Sequence, residues 1–191
     1  MQRLKCCVIG NAGVGKTSMI NAFLNNSVEN TQTTMGIDFF STNVYVRNAS
    51  VRLSIWDTAG AERYRSLMHS YIRDAQIILI VYDITAKNLP IVQWLRIAEQ
   101  YKPAVIGIVG NKDDLTSVVS MQTMSEIVAP WERHPWMMVS ETCSSRKPDS
   151  VRKVILKCLE KALHPAAPRP TEPTYITFLP EKARRKQQCC T

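Results

Sequence analysis

The chain has 191 residues, 45 % of them apolar, and a formal net charge of +8. That length and apolar content suit one globular domain with a full core plus a tail, and no run of about 18 apolar residues offers a membrane-spanning helix. The positive charge would suit nucleic acid or an anionic membrane, but no Lys/Arg stripe interleaves with aromatic residues, so no nucleic-acid partner is expected.

In chain order, MQRLKCCVIGNAG opens with a basic residue and a short apolar run that stops at Gly10 and enters a motif. It is therefore expected to belong to the fold and not to be a signal peptide. Residues 3–9 predict a strand, with Cys6 and Cys7 as small hydrophobes inside it. Residues 16–25 predict a helix, and 37–46 and 51–57 a hairpin turning at 47–50. The runs 76–83 and 104–109 are almost continuously apolar, as in central parallel strands covered on both faces. Between them 87–101 has helical spacing, with Pro90 allowed only in a first turn. A helix over 120–129 is stopped near Pro130, a strand covers 136–140 and a last helix 148–163. Strands alternating with helices predict an α/β fold, an open and mostly parallel sheet with its ligand at the C-terminal strand ends. The expected domain is 1–164. From Pro165 the chain turns rich in proline and charge, so 165–191 is expected to be a flexible tail. The six cysteines show neither zinc spacing nor a disulfide framework, which suits a reducing compartment.

Two motifs carry chemistry. GNAGVGKT (10–17) fits G-x-x-x-x-G-K-[ST] between a predicted strand and helix. Its glycines let backbone N–H groups curl around phosphate oxygens, Lys16 supplies a point charge to the terminal phosphates, and Thr17 offers a hydroxyl to Mg²⁺. NKDD (111–114) follows the 104–109 strand. A carboxylate there can accept from both N1–H and the 2-amino group of guanine, and adenine lacks that donor pair, so Asp113 is the expected base selector.

With these motifs the chain resembles the Ras-like small GTPases over about residues 3–164, and its inner words are similar to the Rab family. These are MGIDF (35–39), RLSIWDTAG (52–60), YIRDA (71–75) and VYDIT (81–85), and SYIRD has the wording of Golgi-type Rabs. The resemblance implies a P-loop small G domain with a six-stranded sheet and helices on both faces. It implies GTP and GDP as ligands with Mg²⁺. Asn11, Ala12, Gly13, Val14, Gly15, Lys16, Thr17 and Ser18 would hold phosphates, and Asn111, Lys112, Asp113, Cys143 and Ser144 the base. Thr17, Thr34 and Asp57 would serve the metal, with Asp57 acting through a water. Lys16, Thr34 and the Gly60 N–H would serve the γ-phosphate in catalysis. It further implies effectors, an exchange factor, a GTPase-activating protein (GAP), a prenylation escort and a GDP-dissociation inhibitor. The Cys189–Cys190 pair after a basic run resembles a double-prenylation signal, which would place the protein on the cytoplasmic face of intracellular membranes, the Golgi among them, cycling with cytosol.

Four positions depart from the family's pattern. Ala61 stands at the place of the glutamine that orients the attacking water, and Val28 at that of an aromatic edge on the guanine. The segment 30–33 is one residue short and has no tyrosine. ETCSS (141–145) replaces ETSAK: Ser144 keeps a backbone N–H for the guanine oxygen, whereas Ser145 cannot repeat the lysine. Three activities fit this set: a slow GTPase completed by a GAP, a GTP-dependent binding module with negligible hydrolysis, and a low-affinity scaffold.

Overall fold

The computed structural model describes residues 1–26, 34, 36–47, 49–58, 65–131, 134 and 136–164. The elements run β1 (Gln2–Ile9), α1 (Lys16–Phe23), β2 (Ile37–Val46), β3 (Ala49–Thr58), α2 (Arg65–Ile72), β4 (Ile77–Asp83), α3 (Ile91–Glu99), β5 (Val105–Asn111), α4 (Met121–Val128), β6 (Met137–Thr142) and α5 (Pro148–Leu163). The six strands stand in the order β2-β3-β1-β4-β5-β6. Only the β2–β3 hairpin is antiparallel.

Alternation decides which side chain enters which layer. Leu4, Cys6 and Val8 of β1 meet Met19, Ile20 and Phe23 of α1 and Val151, Ile155 and Leu159 of α5 on one face. Cys7 and Ile9 meet Ile72 of α2, Trp94 and Leu95 of α3 and Met124 of α4 on the other. β4 and β5 are buried along almost their whole length, the signature of central strands covered twice.

Several boundaries differ from expectation. Pro90 precedes α3 as its N-cap residue and is not within the first turn, so the helix is shorter than 87–101. The missing proline N–H costs nothing there. α1 ends at Phe23, and Asn25 turns left-handed with φ 60°. β3 begins at Ala49, paired with Val46, and the tighter connection takes Arg47 to φ 52°. β5 and β6 run on to Asn111 and Thr142. Helix α2 was not expected; at eight residues it is too short for its period to stand out. Because β1, β4, β5 and β6 are parallel, the segments after Ile9, Asp83, Asn111 and Thr142 all leave at one end of the sheet.

Candidate functional site

The loop between β1 and α1 is shaped by glycine. Gly10 has φ 143° and Gly15 has φ 91°. A Cβ at Gly10 would lie 2.2 Å from the Val81 carbonyl oxygen, and one at Gly15 2.3 Å from the Asn111 amide nitrogen. No other residue fits either place. α1 begins with no side-chain cap, which leaves the N–H groups of its first turn to an anion.

Lys16 lies under this loop at 6 % exposure. Its Nζ donates to the carbonyls of Gly10 at 3.0 Å and Asn11 at 2.8 Å. Burial pulls its pKa from 10.5 to about 8, with Asp57 acting the other way. A buried ammonium held by carbonyls alone gains from an arriving anion. The Asn11 side chain is fixed from α3, accepting from Trp94 Nε1 at 2.8 Å.

Beside the lysine, three oxygen side chains meet. Thr17 Oγ1 donates to Asp57 Oδ2 at 2.5 Å and lies 2.8 Å from Thr34 Oγ1, which is 3.4 Å from the same carboxylate oxygen. Asp57 is fully buried, and its Oδ1 has no hydrogen-bond partner among the described residues. Burial raises the Asp57 pKa, while the Thr17 hydrogen bond and the Lys16 ammonium lower it. Hydroxyl and carboxylate oxygens around an unpaired buried oxygen fit a hard cation such as Mg²⁺.

The loop after β5 is tied to the glycine loop by Asn111, 1 % exposed. Its Nδ2 donates to the carbonyls of Val14 at 2.9 Å and Gly15 at 3.4 Å. Its Oδ1 accepts the N–H of Ser145 at 3.1 Å and the hydroxyl at 3.0 Å. Asp113, the expected base selector, is exposed, whereas the next carboxylate, Asp114, accepts the Ser144 hydroxyl at 2.6 Å and Arg146 Nη1 at 3.2 Å and is the one tied to the loop after β6. The Asp113 backbone N–H donates to the Cys143 carbonyl at 3.0 Å. Cys143 is fully buried, and burial first, then Asp113, pushes its thiol to about 12, so it serves as packing beneath the base end.

A family model described as the Ras family matches residues 5–164. The chain belongs to the Ras family. Ras-family proteins are small GTPases: they bind GTP and GDP, usually with Mg²⁺, and work with regulators and effectors. In this Ras-family chain the structure brings together all the expected site residues from Asn11 to Ser18 with Thr34, Asp57, Asn111, Lys112, Asp113, Cys143 and Ser144. Val28, 30–33, Gly60, Ala61, Cys189 and Cys190 lie outside the described residues. One expected donor is engaged elsewhere: the Ser144 N–H donates to Ser150 Oγ at 3.0 Å.

Sequence reading missed several contributors. Asp83, at the end of β4 and paired in register with Asn111, holds Lys112 Nζ at 2.5 Å. Burial alone would raise its pKa, but the hydrogen bonds from Lys112 and Thr85 hold it below the ordinary value. Ser145 anchors Asn111, a role unlike that of a lysine at its place. Phe39, Trp56 and Tyr71 form an aromatic row across β2, β3 and α2, with centroids 5.0 and 5.5 Å apart and Lys5 Nζ 5.1 Å from the Trp56 ring. Phe39 is 54 % exposed, which makes the row a surface feature. No local signal marks the row, because its three aromatics lie on three different elements and Trp56 also packs against the core.

Proposed function

We propose that this Ras-family protein is a Rab-type switch of vesicle traffic that loads GTP, docks effectors and hydrolyses slowly by itself. The observation that carries the guanine-nucleotide reading is the Asn111 side chain, which joins the glycine loop around Lys16 to the segment bearing Asp113. Such a bridge couples grip on the phosphates to recognition of the base. The Rab-type reading rests on the MGIDF and VYDIT words and on the aromatic row ending at exposed Phe39, since rigid aromatics at a surface suit a protein partner.

In this reading Lys16 and the first-turn amides of α1 hold the β- and γ-phosphates and offset charge as the terminal bond breaks. Thr17, Thr34 and Asp57 would hold Mg²⁺, which supplies charge neutralisation at the phosphate oxygens when bound. The Gly60 N–H would meet the γ-phosphate. Ala61 offers only a methyl group where a water must be aligned, so the chemical step waits on a partner's side chain. Cys189 and Cys190 would carry prenyl groups and, with the basic run before them, hold the protein reversibly on the cytoplasmic face of an intracellular membrane.

Competition binding tests the nucleotide assignment. GDP and GTP should displace a fluorescent guanine nucleotide while ATP does not, and Asp114→Asn, at the carboxylate tied to the Ser144 loop, should shift preference toward xanthine nucleotides. Equal displacement by ATP and GTP would overturn it.

A further inference from the structure

The glycine loop is pinned at both ends. At Gly10 it runs so close to β4 that a Cβ would lie 2.2 Å from the Val81 carbonyl oxygen. At Val14 and Gly15 its carbonyls accept from Asn111 Nδ2 at 2.9 and 3.4 Å. Between those points α3 supplies a further pin: Trp94 Nε1 donates to Asn11 Oδ1 at 2.8 Å, across 83 residues of chain. Packing does not take over that role. A cavity of about 190 Å³ lies against the loop, lined by Ala12 and Gly13 together with Leu89, Ile91 and Trp94. A Cβ at Gly13 would meet no neighbouring atom within 4 Å. The stretch from Ala12 to Gly13 thus borders open space and not a packed wall, so its position depends on its pinned neighbours Asn11 and Val14.

Asn11 is where the pin from α3 meets the phosphate grip. Its carbonyl accepts from Lys16 Nζ at 2.8 Å, beside the Gly10 carbonyl at 3.0 Å, while its side chain accepts from the indole. Trp94 is suited to this task. It is 6 % exposed, within the apolar layer that covers one face of the sheet, so its ring has one fixed place. An indole carries one donor and no acceptor, so its N–H fixes a single direction. An aromatic ring without that N–H would still fill most of the layer but leave Asn11 untethered. We propose that Trp94 is a positioning residue for nucleotide binding: through Asn11 it holds the phosphate loop in the form that sets Lys16 for the terminal phosphates. This rests on the nucleotide reading of the loop and adds a residue from outside both motifs.

The test measures competition constants for GDP and GMP on the full chain, native and varied. Lys16 reaches the phosphates beyond the first, which GMP lacks, so GMP serves as the control that this grip does not touch. Trp94→Phe keeps an aromatic ring and removes the N–H. It should bind GDP about fivefold or more weaker than the native chain does, and GMP within about twofold. Asn11→Ala removes the same bond from an exposed loop position, where no core packing is disturbed, and should show the same split. Because the two side chains act as one unit, the double variant should lose no more than either single variant. GDP affinity of Trp94→Phe within about twofold of native would overturn the proposal. So would equal losses for GDP and GMP, the mark of general damage to α3, or a double variant whose loss equals the product of the two single losses. If the native chain binds neither nucleotide, the nucleotide reading itself falls and this inference falls with it. If the native chain binds GDP and both variants match it, only the inference fails.

Discussion

Asn111 Nδ2 donates to the Val14 carbonyl at 2.9 Å, and this bond spans 97 residues of chain. It joins the loop after β5 to the glycine loop after β1, so neither can relax alone. Asn111→Ala removes this bond and orphans the Ser145 N–H and hydroxyl in a buried setting. The expected cost is roughly 2–3 kcal/mol in stability. GDP release should accelerate about tenfold or more, measured by stopped-flow displacement. An unchanged release rate in a variant that still folds would show that the bridge does not couple the two loops.

Thr17 links Thr34 to Asp57 through a single hydroxyl. Thr17→Ala should leave the fold nearly intact but abolish the metal dependence of nucleotide retention. Chelation by EDTA, which should speed GDP release from the native protein, should then have little further effect. If EDTA accelerates release equally in both, these oxygens are not the magnesium corner.

The parts legible in sequence are those where backbone or burial forces the residue type. Gly10 and Gly15 have neighbours that leave no room for a Cβ, so the phosphate loop declares itself as a motif. β4 and β5 are covered on both faces and therefore read as unbroken apolar runs. Pro148 marks the start of α5, and its bounds match the expectation. What stayed hidden are polar contacts between loops distant in sequence. Nothing local in VYDIT shows that Asp83 grips Lys112, and nothing in ETCSS shows that the Ser144 N–H faces Ser150. Those choices depend on how strand ends align across the sheet, which no single segment records.

The buried cysteines set an alkaline limit on stability. Burial pushes Cys7, Cys143 and Cys158 from the ordinary 9.0 to about 12, and raises Cys6 as well. Raised folded-state values mean that stability is intact below the unfolded value and is lost as pH rises through the window from about 9 to 12. Lys16, lowered to about 8, has the opposite sign but is a single group. The urea midpoint should therefore fall as pH climbs above about 9, and Cys143→Ala with Cys158→Ala should flatten that slope. A midpoint that holds steady up to pH 11 would contradict the assignment of these thiols to the core.

Attachment to membranes should depend on the tail pair. With Cys189→Ser and Cys190→Ser, the protein should remain in the soluble fraction of cells with nucleotide binding unchanged. Membrane association that survives the double substitution would point to a different anchor.

The central claim concerns Ala61. In the proposed reading Lys16, Thr17 and Asp57 serve phosphate chemistry, and Ala61 stands where a water-aligning glutamine would be. Losing one such preorganised group slows a chemical step by roughly 10²–10³-fold. Single-turnover hydrolysis of pre-loaded GTP measures that step directly, with native protein beside Ala61→Gln. The account predicts near-silent native protein, with Ala61→Gln faster by about that factor and GTP affinity little changed. Native hydrolysis as fast as that of Ala61→Gln would contradict it.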